Sequence, residues 1–326
     1  MEIGLNRIRA ISALAMALAT ASANAQEWPR KPIRLVVPYP PGGGTDAVLR
    51  VILPKMSTAL GQTIYIDNKG GANTIIGTDL VAKANPDGYT FGLITDSHSI
   101  NPNFQKLPYD SAQDFQPVSQ LVFVPFALVT KSGSEIDSVA TLVKLAKSKP
   151  GRLSYASLGE GSPHYLAMEW FRYLAGLNIN HIPYRGTGPA LVDILGGQVD
   201  LMFNGVSTVI PQVKDGRAIA LAVSSPKRQS QLPEVPTVAE SGFPEFEFRT
   251  WYGVVAPANT PVAIVSRMST EIKAALQSSE VLARFGDLGV EPAPSTPQQF
   301  SEFMKDDARK YANIIKLTNA KAGGKN

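Results

Sequence analysis

The chain has 326 residues, with 31 lysines and arginines against 27 acidic residues and no cysteine. The missing thiols exclude disulfide stapling, cysteine nucleophiles and lipoprotein acylation, so stability must come from an apolar core, which a chain 44% hydrophobic can supply. The formal charge of +4 is scattered among acids with no arginine-rich stripe, which argues against nucleic acid as a partner.

At the N-terminus Arg7 and Arg9 precede an apolar run from Ile11 to Ala19, and Ala23-Asn24-Ala25 follows as a small-residue cleavage site. This pattern predicts a secretory signal over 1–25, cleaved after Ala25, and a periplasmic mature chain. The apolar run is well short of the ~20 residues that span a bilayer, and no later segment is long and apolar enough to do so.

The mature chain opens with a strand over 33–38. It runs through Pro38-Tyr39-Pro40-Pro41-Gly42-Gly43-Gly44 into a helix over 46–60, with Thr45 or Asp46 as its N-cap. A glycine loop entering a helix leaves bare N–H groups at the positive end of the dipole, an arrangement suited to an anion. Pro41 has no N–H, so the donors are Gly42, Gly43, Gly44 and the residues after them. The same residues also serve a plain βα turn. Neither a P-loop nor a dinucleotide fingerprint is completed, so no phosphate-bearing cofactor is expected. Asp46 is read as a cap, since its carboxylate would repel an anionic ligand.

A strand over 63–67, a helix over 78–84 and a strand over 89–94 follow, and the loop 95–101 carries His98. The apolar stretch 117–130 reads as a crossing to a second lobe. Beyond it come helix 139–148, strand 153–157, helix 163–175, strand 181–183, helix 189–195, and strands 201–204 and 219–223. The polar, proline-rich 224–236 reads as the return crossing. A strand over 251–256 and helices over 261–278, 281–288 and 297–317 complete the chain. The alternation predicts an α/β protein of two lobes, each with a mostly parallel sheet, joined by a hinge around a cleft. The boundaries are 26–126 with 227–326 for the first lobe and 127–226 for the second.

Ser162 sits between strand and helix, where it can cap the helix, donate to a ligand, or both. Of the three histidines, His98 is the better candidate to touch ligand and His164 reads as packed; their spacing makes no metal site. Thr187, Asn204 and Ser207 lie at or after strand ends in the second lobe and offer neutral hydrogen bonds. Tyr39, Phe123 and Trp251 either wall the cleft or belong to the core. Arg185 and Arg249 could grip a carboxylate or remain in surface or interlobe ion pairs. Ser157 and Ser162 are the conceivable nucleophiles of an exported hydrolase, yet no Gly-x-Ser-x-Gly elbow is present, so no enzyme is expected.

Several segments together resemble one family. They are Trp28-Pro29, Pro38-Tyr39-Pro40-Pro41-Gly42-Gly43 with Asp46 and Arg50, Pro86-Asp87-Gly88-Tyr89-Thr90, Leu107-Pro108-Tyr109-Asp110, Gly161-Ser162-Pro163-His164, Pro183-Tyr184-Arg185-Gly186, Gly196-Gly197-Gln198-Val199-Asp200 and Trp251-Tyr252-Gly253. The chain is similar in these to the periplasmic solute receptors of tripartite tricarboxylate transporters, the Bug receptors. The resemblance implies a two-lobed type II binding protein, a monomer without cofactor. Such a receptor captures a small organic carboxylate and hands it to integral-membrane permease subunits; a sensor feeding a signalling kinase is the alternative. It also implies two first-lobe loops pinching one carboxylate through backbone N–H groups. The first is the glycine loop; the second is Gly70-Gly71-Ala72-Asn73-Thr74, in which the family more often has glycine at the position of Thr74. The ligand set it points to is Tyr39, Pro41, Gly42, Gly43, Asp46, Gly71, Ala72, Asn73, Thr74, His98, Ser157, Ser162, Thr187, Asn204 and Ser207.

Overall fold

The computed structural model describes residues 28–320; the expected leader over 1–25 and its cleavage site lie outside the described residues. The first lobe is founded on β1 (Ile33–Val37), a β-branched run buried at four of five positions, as a strand covered on both faces should be. β2 (Ile64–Asn68) and β3 (Thr90–Thr95) flank it in parallel, with Ile33 opposite Ile64 and Leu35 opposite Phe91. The crossovers are α1 (Gly44–Leu60) and α2 (Ile75–Ala82). α1 buries Val48, Leu49, Ile52, Leu53 and Met56, and stops at Gly61, whose left-handed conformation lets its N–H reach back to the Ser57 and Thr58 carbonyls.

After α3 (Ser97–Ile100), the 17-residue β4 (Phe115–Lys131) carries the chain out of the first lobe. The second lobe contains α4 (Val139–Ser148), β5 (Ser154–Ser157), α5 (Pro163–Ala175), β6 (Asn180–Pro183), α6 (Thr187–Gly196), β7 (Met202–Gly205), α7 (Val206–Lys214) and β8 (Ala218–Val223). β9 (Arg249–Pro257) returns, and α8 (Val262–Leu276), α9 (Ser279–Leu288), β10 (Glu291–Pro292) and α10 (Pro297–Thr318) close the chain.

The sheet order is β10-β4-β9-β3-β1-β2, with β7 and β8 added along β4. A returning strand inserted beside β3 is the two-lobed type II arrangement expected from the sequence. The expectation of mostly parallel sheets needs correction: β1, β2 and β3 are parallel, and so are β5 and β6, but the crossing strands β4 and β9 run antiparallel. β4 changes partner between Pro125 and Phe126, pairing with β9 before that point and with β7 and β8 after it.

The return crossing lies later than 226/227. Phe248 N–H donates to the Ser224 carbonyl, and Val238, Phe246 and Phe248 pack with Phe171 and Phe203 in the second-lobe core. Tyr311 and Ile314 of α10 join that same core, so the terminal helix spans both lobes. α7 has no counterpart among the expected elements. Its Val206, Thr208, Val209 and Ile210 are β-branched and Pro211 lies inside it, a composition that reads against helix.

Candidate functional site

Four helices begin at one cavity. It lies between the lobes, has a volume of about 120 Å³, and is lined by Gly44 and Thr45 of α1, Pro163 and His164 of α5, Thr187 and Gly188 of α6, and Ser207 and Thr208 of α7. Each helix start contributes roughly half a positive charge and N–H groups without intrahelical acceptors. In α1 the first intrahelical bond runs from Ala47 N–H to Gly43 O at 3.2 Å, which leaves the amides of 43–46 ahead of it. In α6 the corresponding bond is Ala190 N–H to Gly186 O at 3.4 Å. Among the described residues, no Asp, Glu, Lys or Arg lines the cavity.

The glycine loop works differently from its sequence-based reading. The N-cap of α1 is Gly43, not Thr45 or Asp46, and it has no side chain with which to cap. Asp46 sits inside the first turn and is 2% exposed. Its Oδ2 accepts from Gly42 N–H at 2.9 Å and its Oδ1 from Asn68 Nδ2 at 3.1 Å. This bond ties the residue before the N-cap to the first turn of α1, and it removes the Gly42 amide from the donor set. Asp46 therefore shapes the loop and stays off the cavity wall.

The second lobe brings polar groups without partners. Asn204 is 1% exposed; its Oδ1 accepts from Gly205 N–H at 2.8 Å, while Nδ2 has no hydrogen-bond partner among the described residues. Ser207 Oγ and His164 Nδ1 are likewise buried and unpartnered. His164 stacks on Phe126 with ring centroids 4.9 Å apart, and burial pushes it down to about 3, so its imidazole is neutral at physiological pH. The lobes meet here: a Cβ on Gly44 would lie 3.2 Å from both Ser207 Oγ and the Tyr252 hydroxyl, and one on Gly43 would lie 3.6 Å from Thr187 Oγ1.

Of the residues expected at the site, Tyr39, Pro41, Gly42, Gly43, Thr187, Asn204 and Ser207 line the cavity. Tyr39 is fixed by a 2.7 Å hydrogen bond between its hydroxyl and Thr95 Oγ1. His98 does not face the cleft, which corrects its expected place. Its Nε2 bonds the Ser111 carbonyl at 2.8 Å, its ring packs against Tyr109 and Phe115, and burial lowers it to about 4. Ser162 is the N-cap of α5, accepting from Tyr165 N–H at 3.2 Å and donating to Gly159 O at 2.6 Å. Ser157 is fully buried behind the wall, with Oγ 2.6 Å from His181 Nε2 and accepting from Gly159 N–H.

The second loop does not line this cavity, although Asn73 reaches the second lobe, where a Cβ on Gly161 would lie 3.2 Å from its Nδ2. Gly71, Ala72, Asn73 and Thr74 all hold positive φ, and Asn73 and Asn101 clasp each other, Asn73 Nδ2 to Asn101 Oδ1 at 2.6 Å and Asn101 Nδ2 to Asn73 O at 2.8 Å. Thr74 adopts φ 76°, a conformation glycine reaches without strain. Arg249 is paired with Glu247 and Glu291 over the Phe123 ring, and neither Arg185 nor Arg249 lines the cavity. Sequence reasoning named Gly44 among the loop donors but missed His164, Thr208, Thr250 and Tyr252. The signal for His164 was its place one residue after Pro163 in a helix whose start was correctly expected.

A family model described as a tripartite tricarboxylate transporter family receptor matches residues 48–320. BugT of Bordetella pertussis (strain Tohama I) is 36% identical over 324 residues, which is 97% of this chain and 99% of BugT. A solved R. palustris protein with adipate is 33% identical with a TM-score of 0.88, over 90% of this chain and 100% of that one. MatC from Rhodopseudomonas palustris, solved with bound malate, is 30% identical with a TM-score of 0.83, over 88% of this chain and 100% of that one.

Proposed function

The chain belongs to the tripartite tricarboxylate transporter receptor family and is a solute receptor, and from that premise we propose that it holds a small carboxylate at the start of α1 and closes its second lobe over the rest of the ligand. The observation that carries this reading is the convergence of four helix N-termini on a cavity whose wall, among the described residues, has no Asp, Glu, Lys or Arg. Aligned dipoles and preformed N–H donors replace the hydration of a carboxylate, and no cationic side chain has to be desolvated to do so. The cavity of about 120 Å³ is small beside the ~300–1,000 Å³ of drug-sized sites, which suits a short-chain acid. Two relatives were solved with short dicarboxylates, adipate in one and malate in the other.

In this reading the protein works in the periplasm as a receptor and not as an enzyme, and passes its ligand to membrane permease subunits. Calorimetric titration of the purified protein with short mono-, di- and tricarboxylates is the test. Micromolar or tighter binding of at least one acid is expected. Binding of uncharged amides of those acids with equal affinity would overturn the reading.

A further inference from the structure

Resting on the carboxylate reading above, we infer that Asp96 is a positioning residue for the ligand and that the receptor takes up a proton as it binds. As a neutral carboxyl, Asp96 donates to Thr250 and frees the Thr250 hydroxyl for the bound carboxylate. Thr250 lines the cavity, and behind it Asp96 is fully buried. Thr250 Oγ1 lies 2.7 Å from Asp96 Oδ1, and the Tyr311 hydroxyl lies 3.1 Å from Oδ2. A threonine hydroxyl carries one proton. Beside an ionised Asp96 that proton is committed to Oδ1, and Thr250 turns only lone pairs toward the cavity. Beside a protonated Asp96 the same 2.7 Å contact runs the other way. Tyr311 donates to Oδ2, so the proton drawn from solvent sits on Oδ1 and donates to Thr250 Oγ1. The Thr250 O–H is then released to a ligand.

The surroundings of Asp96 favour the neutral form. Asp307 and Tyr311 face it from α10, Thr250 and Tyr252 from β9, and Tyr39 from the glycine loop. His98, in the helix that Asp96 opens, is neutral and bonded to the Ser111 carbonyl. The nearby cations are engaged elsewhere: Lys310 acts on Asp307, and Arg249, beside Thr250 in β9, is paired with Glu247 and Glu291. Burial first, and then the charge of Asp307, push Asp96 up to about 8. A ligand carboxylate across Thr250 adds another anion, with no Lys or Arg among the described residues of the wall, and raises Asp96 further. Affinity is therefore complete below the value of the empty receptor and is lost as pH rises through it toward the higher value of the complex.

Adipate and malate, titrated by calorimetry at pH 7 and pH 9, provide the test. Repeating the titration at pH 8.5 in two buffers of different ionisation enthalpy reads the protons exchanged. Wild-type affinity should fall about fivefold or more from pH 7 to pH 9, with uptake of about half a proton or more per ligand at pH 8.5. Asp96→Asn keeps an acceptor for Tyr311 and a fixed donor for Thr250, so its affinity should vary by less than about twofold over that range and its proton uptake should vanish. Asp307→Asn keeps an oxygen for Trp251 Nε1 and removes the neighbouring charge, so the fall in affinity should move to lower pH. Equal wild-type affinity at pH 7 and pH 9 without proton exchange would overturn the role of Asp96 while carboxylate binding stands. Uptake that persists in Asp96→Asn would do the same. If neither acid binds at pH 7, the carboxylate reading falls and the role of Asp96 with it. Where Asp96→Asn does not fold, the Asp307→Asn profile decides, and an unmoved profile counts against Asp96.

Discussion

At the scale of single residues, the close approach to the ligand belongs to Gly44. Gly43 holds φ −86°, which any residue adopts, and a Cβ there meets only Thr187 Oγ1 at an ordinary 3.6 Å. Gly71 is confined by its own loop, since a Cβ would fall 2.5 Å from Ile76 Cδ1. A side chain at Gly44 instead enters the space shared by Ser207 Oγ and the Tyr252 hydroxyl, directly at the exposed amides of α1. Gly44→Val should leave the circular-dichroism spectrum unchanged and lower carboxylate affinity about 10–100-fold by calorimetry, the loss of one charge-assisted hydrogen bond of ~1.5–3 kcal/mol. Arg249→Ala and Arg185→Ala should change affinity by no more than about threefold. A larger loss in either would mean an ion pair that the lining residues do not contain. Glycines and hydroxyls at strand ends were legible as site residues because turn chemistry is local. The exchange of His98 for His164 was not, because which of two buried imidazoles meets a cavity is decided by packing from distant elements.

At the scale of elements, caps and buried acids govern how the lobes hold. Ser162 caps α5 and spends its hydroxyl there, so Ser162→Ala should cost about 1 kcal/mol of stability in chemical denaturation and leave ligand affinity nearly unchanged. β3, β9 and α10 converge on Asp96, with Trp251 Nε1 donating to Asp307 nearby at 2.8 Å. Burial pushes Asp96 up to about 8 and Asp307 to about 7, and pushes His98 down to about 4, His164 to about 3 and His181 to about 4. A carboxyl raised on folding gives stability that is complete below its unfolded value of ~4 and lost as pH rises through the folded one. A histidine lowered on folding gives stability that is complete above its unfolded value of ~6.5 and lost as pH falls through the folded one. The melting temperature should therefore peak near pH ~6.5 and decline toward pH 8. Asp96→Asn should flatten the decline, and an unaltered slope would remove Asp96 from the account. Most elements could be read from periodicity and caps, α4 and α5 to the residue. α7 could not, because its β-branched run and internal proline are outweighed by packing on β4 and β8.

At the scale of the whole molecule, one strand pair makes the hinge. β4 exchanges β9 for β7 and β8 at Pro125 and Phe126, and β9 begins at Arg249, so both crossings lie together at the base of the cleft. The two-lobed order was legible from alternating elements, whereas the return point was not. Phe246 and Phe248 fall in the stretch the sequence assigned to the first lobe and are second-lobe core in the fold. A carboxylate gripped by α1 alone gives no free energy to closure; Asn204 Nδ2, Ser207 Oγ and His164 Nδ1, unpartnered among the described residues, provide it when the ligand completes their hydrogen bonds. Saturating carboxylate should then reduce the radius of gyration in small-angle scattering and raise the melting temperature, whereas identical profiles would call for a rigid pocket. The most direct measurement of the central claim is a crystal structure with the tightest-binding carboxylate. The account predicts carboxylate oxygens within hydrogen-bond distance of the Gly44, Thr45 and Asp46 amides, with no arginine or lysine touching them. A carboxylate paired with a basic side chain, or seated away from the start of α1, would contradict it.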